Sequence, residues 1–140
     1  MKVKKLNSNK LINVNINKYR IDWEKSGFSK LEVKFRDLIK PYWFRSMVLF
    51  QWRIPGSLLR LDYFNVNIRT AVEISPTSHH GKFNPFFHNN SRLNYLSSIK
   101  RDFQKVEYCG SNNIQLLELN EYDLNNFSLQ YIKEKFNIDL

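Results

Sequence analysis

The chain of 140 residues carries 22 Lys and Arg against 13 Asp and Glu, a formal net charge of +9, with 42% hydrophobic and 15% aromatic residues. That is enough apolar material for one domain with its own core, and it excludes a chain too polar to fold. The absence of any run of roughly 18 apolar residues excludes a spanning helix, the lone Cys109 excludes an internal disulfide or a cysteine zinc site, and the positive balance points to nucleic acid first and anionic membrane surfaces second.

Residues 1–28 mix Lys and Asn around a short alternating patch, Leu11 to Ile16, and are expected to form a basic arm with one edge strand. Its charged start lacks the apolar stretch and small-residue cleavage site of a secretory signal, so a cytoplasmic location is expected. Ser29 with Glu32 three residues on reads as a capping box. Leu31, Phe35, Leu38 and Ile39 then recur at helical spacing and predict a first helix over 30–40, stopped by Pro41. Lys30, Lys34 and Arg36 lie on its other face, either solvated or touching phosphate.

Ser46 to Arg53 reads as a strand broken by Ile54-Pro55-Gly56. Two further strands, Ser57 to Val66 and Thr70 to Ser75, complete an antiparallel meander that Pro76 ends. Residues 77–90 form a loop holding His79, His80, His88 and three Phe residues. Leu93, Leu96, Ile99, Phe103 and Val106 follow three-and-four spacing, predicting a helix over 91–109 with Gly110 as its stop, and Arg92, Lys100, Arg101 and Lys105 lie off that stripe. A last core strand over 114–119 and a closing helix over 124–136, with Leu129, Ile132 and Phe136 inward, complete an α/β (α+β mixed) fold of helices against one mixed sheet.

Asp62 and Glu73 stand eleven residues apart on the second and third strands of the meander. Two carboxylates so placed on a basic chain suit a magnesium ion held against a phosphodiester: such an ion takes one or two carboxylates and fills its octahedron with waters and substrate oxygens. The Ile74 backbone carbonyl lies on the same strand as a further ligand. Spacing alone is weak evidence for a metal site, and two exposed acids of an ordinary hairpin are the reading it favours. His79, across the Pro76 turn, is placed either to handle a proton or to bind backbone carbonyls. No Gly-rich phosphate loop and no glycine-flanked nucleophile elbow is present, which argues against nucleotide-dependent and serine-hydrolase chemistry.

Several segments together resemble one family. Ile54-Pro-Gly-Ser-Leu-Leu-Arg60-Leu-Asp62-Tyr-Phe-Asn, Ala71-Val-Glu73-Ile and His79, then Asn84-Pro-Phe-Phe-His88, Tyr95 to Lys105, Asn113 to Leu119 and Phe136 to Leu140, resemble the PD-(D/E)XK nucleases of the very-short-patch-repair-like branch, especially small phage homing-type endonucleases. The resemblance implies a restriction-endonuclease-like core of helix, three-stranded antiparallel meander, helix and strand, followed here by the closing helix, in a single nuclease domain over 29–140. It implies Mg2+-dependent cleavage of double-stranded DNA, with Mn2+ as a substitute, and Asp62 and Glu73 as the metal-binding acids. It further implies a bacterial or phage-infected host cell.

The sequence also departs from that pattern. Ser75 stands where the family has a water-orienting Lys or Gln. Lys105 is either its displaced substitute or a surface lysine paired with Asp102. Gln51 stands near where relatives carry a further acid. Arg53, Arg60, Lys82, Arg92, Lys100 and Arg101 join Lys30 and Lys34 as candidate phosphate contacts, and residues 81–90 have a composition suited to a DNA groove. A non-catalytic DNA-binding protein and a structure-selective resolvase or mismatch nickase are the alternatives to a homing-type or nicking endonuclease. Two strand cuts by a one-site domain would favour a homodimer.

Overall fold

A computed structural model of the chain describes residues 1–25, 28–76 and 92–140, with side chains of the long helix described from Leu96 onward. His79, Lys82 and the loop expected over 77–90 lie outside the described residues, as does the Arg92 side chain.

The basic N-terminal segment forms two strands where one was expected. β1 (Lys2–Lys4) and β2 (Leu11–Asn13) pair antiparallel, with Val3 opposite Ile12. Val3 is fully buried, the Tyr108 hydroxyl donates to the Lys4 carbonyl at 2.8 Å, and the Lys4 N–H donates to Asn112 Oδ1 at 2.8 Å. Further on, Arg20 bridges antiparallel to Leu49, and the Ile21 N–H donates to the Val48 carbonyl. Backbone pairing and two buried apolar anchors, Val3 and Ile21, thus dock a segment whose composition alone reads as a loose arm.

Helix α1 (Lys30–Trp43) starts where Ser29 predicts, with the Ser29 hydroxyl accepting from the Glu32 N–H. Pro41 does not stop it. A proline inside a helix removes one hydrogen bond and strains one turn, and here the last turn is held by Trp43, which is buried and packs edge-on against Phe35 at 5.9 Å. Phe35, Ile39 and Trp43, four residues apart, form the stripe that α1 buries.

Strands β3 (Val48–Arg53), β4 (Arg60–Asn65) and β5 (Thr70–Ile74) form the antiparallel meander, and β6 (Gln115–Leu119) joins parallel to β5, giving the order β3-β4-β5-β6. The parallel pairing requires a crossover, and α2 (Arg92–Ser111) lies in that connection. Gly110 does not end α2. Its C-terminus is closed by Asn113 in the left-handed region (φ 55), with the Ile114 N–H donating to the Cys109 carbonyl at 2.8 Å and the Asn113 N–H to the Gly110 carbonyl, a Schellman arrangement. The closing helix is two helices, α3 (Glu121–Asn125) and α4 (Leu129–Phe136), because each has its own cap: Asn120 and Asp123 exchange a capping box, and the Ser128 hydroxyl accepts from the Tyr131 N–H. Ile132 is buried as expected, with Leu129 and Phe136 half-buried.

Among the described residues the result is a mixed α/β fold in which four α-helices flank one four-stranded mixed sheet and no barrel closes. One sheet face packs Val72, Leu117 and Leu119 with α1, α3 and α4, and the other packs Phe64 and Ala71 with the N-terminal hairpin and the Tyr108–Cys109 face of α2. Among the described residues no helix is long and apolar enough to cross a membrane.

Candidate active site

Regular pairing between β4 and β5 runs from Asn65↔Thr70 to Tyr63↔Val72 and stops there. The next two residues along, Asp62 and Glu73, replace the backbone ladder with side chains. The Asp62 N–H donates to Glu73 Oε2 at 3.1 Å, and the Ile74 N–H donates to Asp62 Oδ2 at 2.9 Å. The two strands part at this point and the two carboxylates hold the gap. In a strand the N–H and C=O of one residue point to the same edge, so the Ile74 carbonyl faces this gap as well.

The opposite strand is irregular at the same level. Gln51, across from Asp62, has a left-handed backbone (φ 51), the β3–β4 pairing skips it, and its amide donates to Asp62 Oδ1 at 3.1 Å. A glutamine in this region costs on the order of 1 kcal/mol. The conformation re-aims the hairpin: Phe50 and Tyr63 pack with the α1 side of the core, whereas Trp52 and Leu61, two residues away, pack with the α2 side. Unbroken alternation would keep both pairs on one face. The acid pair therefore sits where the hairpin turns from one side of the sheet to the other.

Two helices complete the surroundings. From α2, Lys105 Nζ donates to Glu73 Oε1 at 2.7 Å, with both side chains largely buried. Of the two roles open to Lys105 from sequence, its charge is at the acid pair and not on an outer surface beside Asp102. From α1, the Glu32 carboxyl lies near Asp62, and the Glu32 carbonyl accepts from the Tyr63 hydroxyl at 2.8 Å. Sequence reasoning assigned Glu32 to the helix cap and missed it here. Its signal was its place on the first turn of the helix before the meander, which has meaning only once the sheet is assembled.

The electrostatics follow from this crowding. Burial and the neighbouring Asp62 push the Glu73 carboxyl well above its usual range, while Lys105 pulls the other way and is outweighed. Burial and Asp62 also raise Glu32. Cys109, beneath them on α2, is pushed up to about 12 by burial and by Glu73, and so remains a neutral thiol. Acids raised by a neighbouring carboxylate, as Glu73 and Glu32 are by Asp62, would be stabilised in their ionised form by an added cation. The donor set suits magnesium: each Asp62 and Glu73 oxygen accepts one described hydrogen bond, and a carboxylate oxygen has a second acceptor position. Among the described residues no group of three His, Cys, Asp or Glu side chains converges as a ready cage, so waters and substrate oxygens would complete the shell.

Ser75 is half-buried one residue past β5, where its N–H donates to the Leu119 carbonyl at 2.9 Å. The candidate phosphate contacts are dispersed. Arg53 and Arg60 are exposed cross-strand partners on the β3–β4 hairpin, and Arg60 donates to the Gln51 carbonyl, which brings that pair beside the acids. Lys30 is exposed at the start of α1, Lys34 is tied to Asn125 of α3, and Lys100 and Arg101 are exposed on α2. No protein-family model, curated protein or solved structure matches the chain.

Proposed function

We propose that this chain is a metal-dependent DNA endonuclease on a restriction-endonuclease-like core, with Asp62 and Glu73 holding Mg2+ or Mn2+ at double-stranded DNA. The observation that carries this reading is the reciprocal pairing of the two carboxylates at the point where β4 and β5 part, with Lys105 bound to Glu73. The order of α1, three antiparallel strands, α2 and a parallel fourth strand agrees with the connectivity implied by the family resemblance.

When bound, a divalent ion supplies charge for the phosphate and lowers the pKa of water. The chain's own residues do the rest. Gln51 and the Ile74 N–H fix the Asp62 carboxylate, so it need not reorganise when substrate arrives. Lys105 keeps one Glu73 oxygen oriented and brings a positive charge to the side where a serine, at position 75, replaces the family's longer water-orienting residue. Arg53 and Arg60 are placed to meet phosphates flanking the cut, and the remaining basic surface contributes affinity independent of sequence.

The test is a plasmid nicking and linearisation assay with Mg2+ or Mn2+, comparing wild type with Asp62→Ala and Glu73→Ala. Cleavage lost in both variants supports the reading, and DNA left equally intact by all three proteins removes it. Ser75 favours a second reading, a DNA-binding protein that does not cut. That protein would bind DNA in a salt-sensitive manner without metal and would keep its affinity in both variants. Mismatched, four-way-junction and plain linear duplexes, run side by side, distinguish a mismatch nickase or resolvase from a homing-type enzyme.

A further inference from the structure

The apolar stripe that predicts α2 does not face the core. Leu96, Ile99, Phe103 and Val106 are 50%, 39%, 61% and 53% exposed, whereas the face buried against the sheet and the N-terminal hairpin is carried by Lys105, Tyr108, Cys109 and Asn112. At 100° per residue these two sets lie on opposite sides of the helix. A helix apolar on one face and packed on the other has a surface to cover. The spacing of its exposed residues, three, four and three, is the strict two-per-heptad seam of paired helices rather than the broader stripe of a helix on a globular core.

We infer that this seam joins two copies of the chain as an antiparallel pair of α2 helices, with Phe103 of each copy against Val106 of the other across a twofold axis. The flanking charges select the second copy and its direction. Lys100 and Glu107, both exposed, each follow a seam residue on the same flank. In an antiparallel pair like flanks meet, so Lys100 faces Glu107 of the second copy twice, whereas a parallel pair sets Glu107 against Asp102 of the other copy.

Gly110 supplies an independent observation. It is the next seam position after Val106, it lies inside α2 at a cost in helix propensity, and a Cβ placed there would meet nothing within 4 Å. Among the described residues nothing requires a glycine at that place, and the cap belongs to Asn113. In the antiparallel register Gly110 lies opposite Ile99 of the second copy and lets the two backbones approach. A symmetric contact of this kind closes at two copies. It leaves Lys105 and the acid pair on the outer side of each helix, and it assigns Lys100 to the partner chain rather than to phosphate.

The dimer does not depend on the proposed chemistry, so it is tested without DNA or metal, by sedimentation equilibrium of the full chain at tens of micromolar. The expected mass is twice the 16.9 kDa of one chain. Phe103→Lys is expected to give monomer with unchanged circular dichroism. Gly110→Leu should fold at least as well as wild type and still weaken the dimer. Lys100→Glu and Glu107→Lys should each weaken it, on the order of tenfold in dissociation constant, and the double exchange should restore it. A monomeric wild type overturns the inference, and so does a double exchange that stays as weak as the single variants.

Discussion

Asp123 and Glu73 are both buried carboxylates paired with a lysine, and their chemistry runs in opposite directions. The Asp123 side chain is 2% exposed and Glu73 12% exposed. Burial alone would raise both. At Asp123, the Asn120 N–H, the Lys135 ammonium and the Tyr131 hydroxyl at 2.7 Å outweigh burial and hold the carboxyl below its ordinary value. At Glu73, a second acid adds to burial and one lysine fails to offset the two. Asp123 is thus fully satisfied by its own chain and ties α3 to α4. Glu73 and Asp62 have a partial set of donors and an excess of negative charge, which the proposed divalent cation would offset.

The largest expected effect separates the two in cleavage assays. Asp62→Ala should lower the rate by on the order of a thousandfold or more, whereas Asp123→Ala, assayed well below its melting temperature, should retain most of the wild-type rate. Equal losses in the two variants would show that the acid pair has no special part in the reaction.

Chemical unfolding reverses the ranking. Asp123→Ala removes half of a capping box and leaves the Tyr131 hydroxyl without that acceptor, so a loss of about 2 kcal/mol is expected. Asp62→Asn keeps the shape and relieves repulsion, so the metal-free variant should be at least as stable as wild type. A marked destabilisation by Asp62→Asn would place the pair with the structural acids.

The pH dependence has opposite signs at the two positions. Folded Glu73 holds its proton where the unfolded chain has released it, so its contribution to stability is complete below about pH 4.5 and falls as pH rises towards about 8. Folded Asp123 is ionised where the unfolded chain is protonated. Its contribution is present above its ordinary value of 3.8 and is lost as the pH falls through the lower folded value. Melting curves across this range should show the alkaline loss in metal-free wild type and not in Glu73→Gln. Added Mg2+ should raise the wild-type melting temperature more at pH 8 than at pH 5, because protons compete for the same oxygens. A wild-type alkaline slope unchanged by Glu73→Gln would assign it to other groups.

This contrast was only partly legible in the sequence. The Ser29 cap, the meander and the placing of Asp62 and Glu73 on adjoining strands follow from local patterns, and these elements formed where the patterns placed them. Three features depend on tertiary pairing. The left-handed Gln51 breaks an alternation that its neighbours in sequence give no reason to break. Glu32 reads as a cap residue until β3 and β4 are laid beside α1. The periodicity of α2 identifies an apolar face correctly, yet hydrophobic spacing does not say whether that face meets the chain's own sheet. Here the sheet took the other side, which is why Lys105, off the stripe, reaches Glu73. Pro41 and the break between α3 and α4 turned on the balance between a local stop signal and the packing of Trp43 in one case, and on two separate caps in the other.

The smallest expected effects lie with the two lysines, and they sharpen the contrast furthest. Lys135 is 43% exposed, so Lys135→Met should cost under about 1 kcal/mol once solvent screening is counted. Lys105→Met should cost little stability either, because Glu73 can take up a proton in place of its partner. It should instead act on chemistry. Without the ammonium, the Glu73 carboxyl rises further, ionised Glu73 is reached only at higher pH, and the acidic limb of the cleavage profile moves upward. The Lys135 variant should leave that limb in place. A lysine returned by Ser75→Lys in the Lys105→Met background should bring the limb back towards wild type if the cation near Glu73, rather than its position on α2, is what matters. A limb that stays where it was in Lys105→Met would mean that Lys105 holds α2 to the sheet and takes no part in tuning the acid pair.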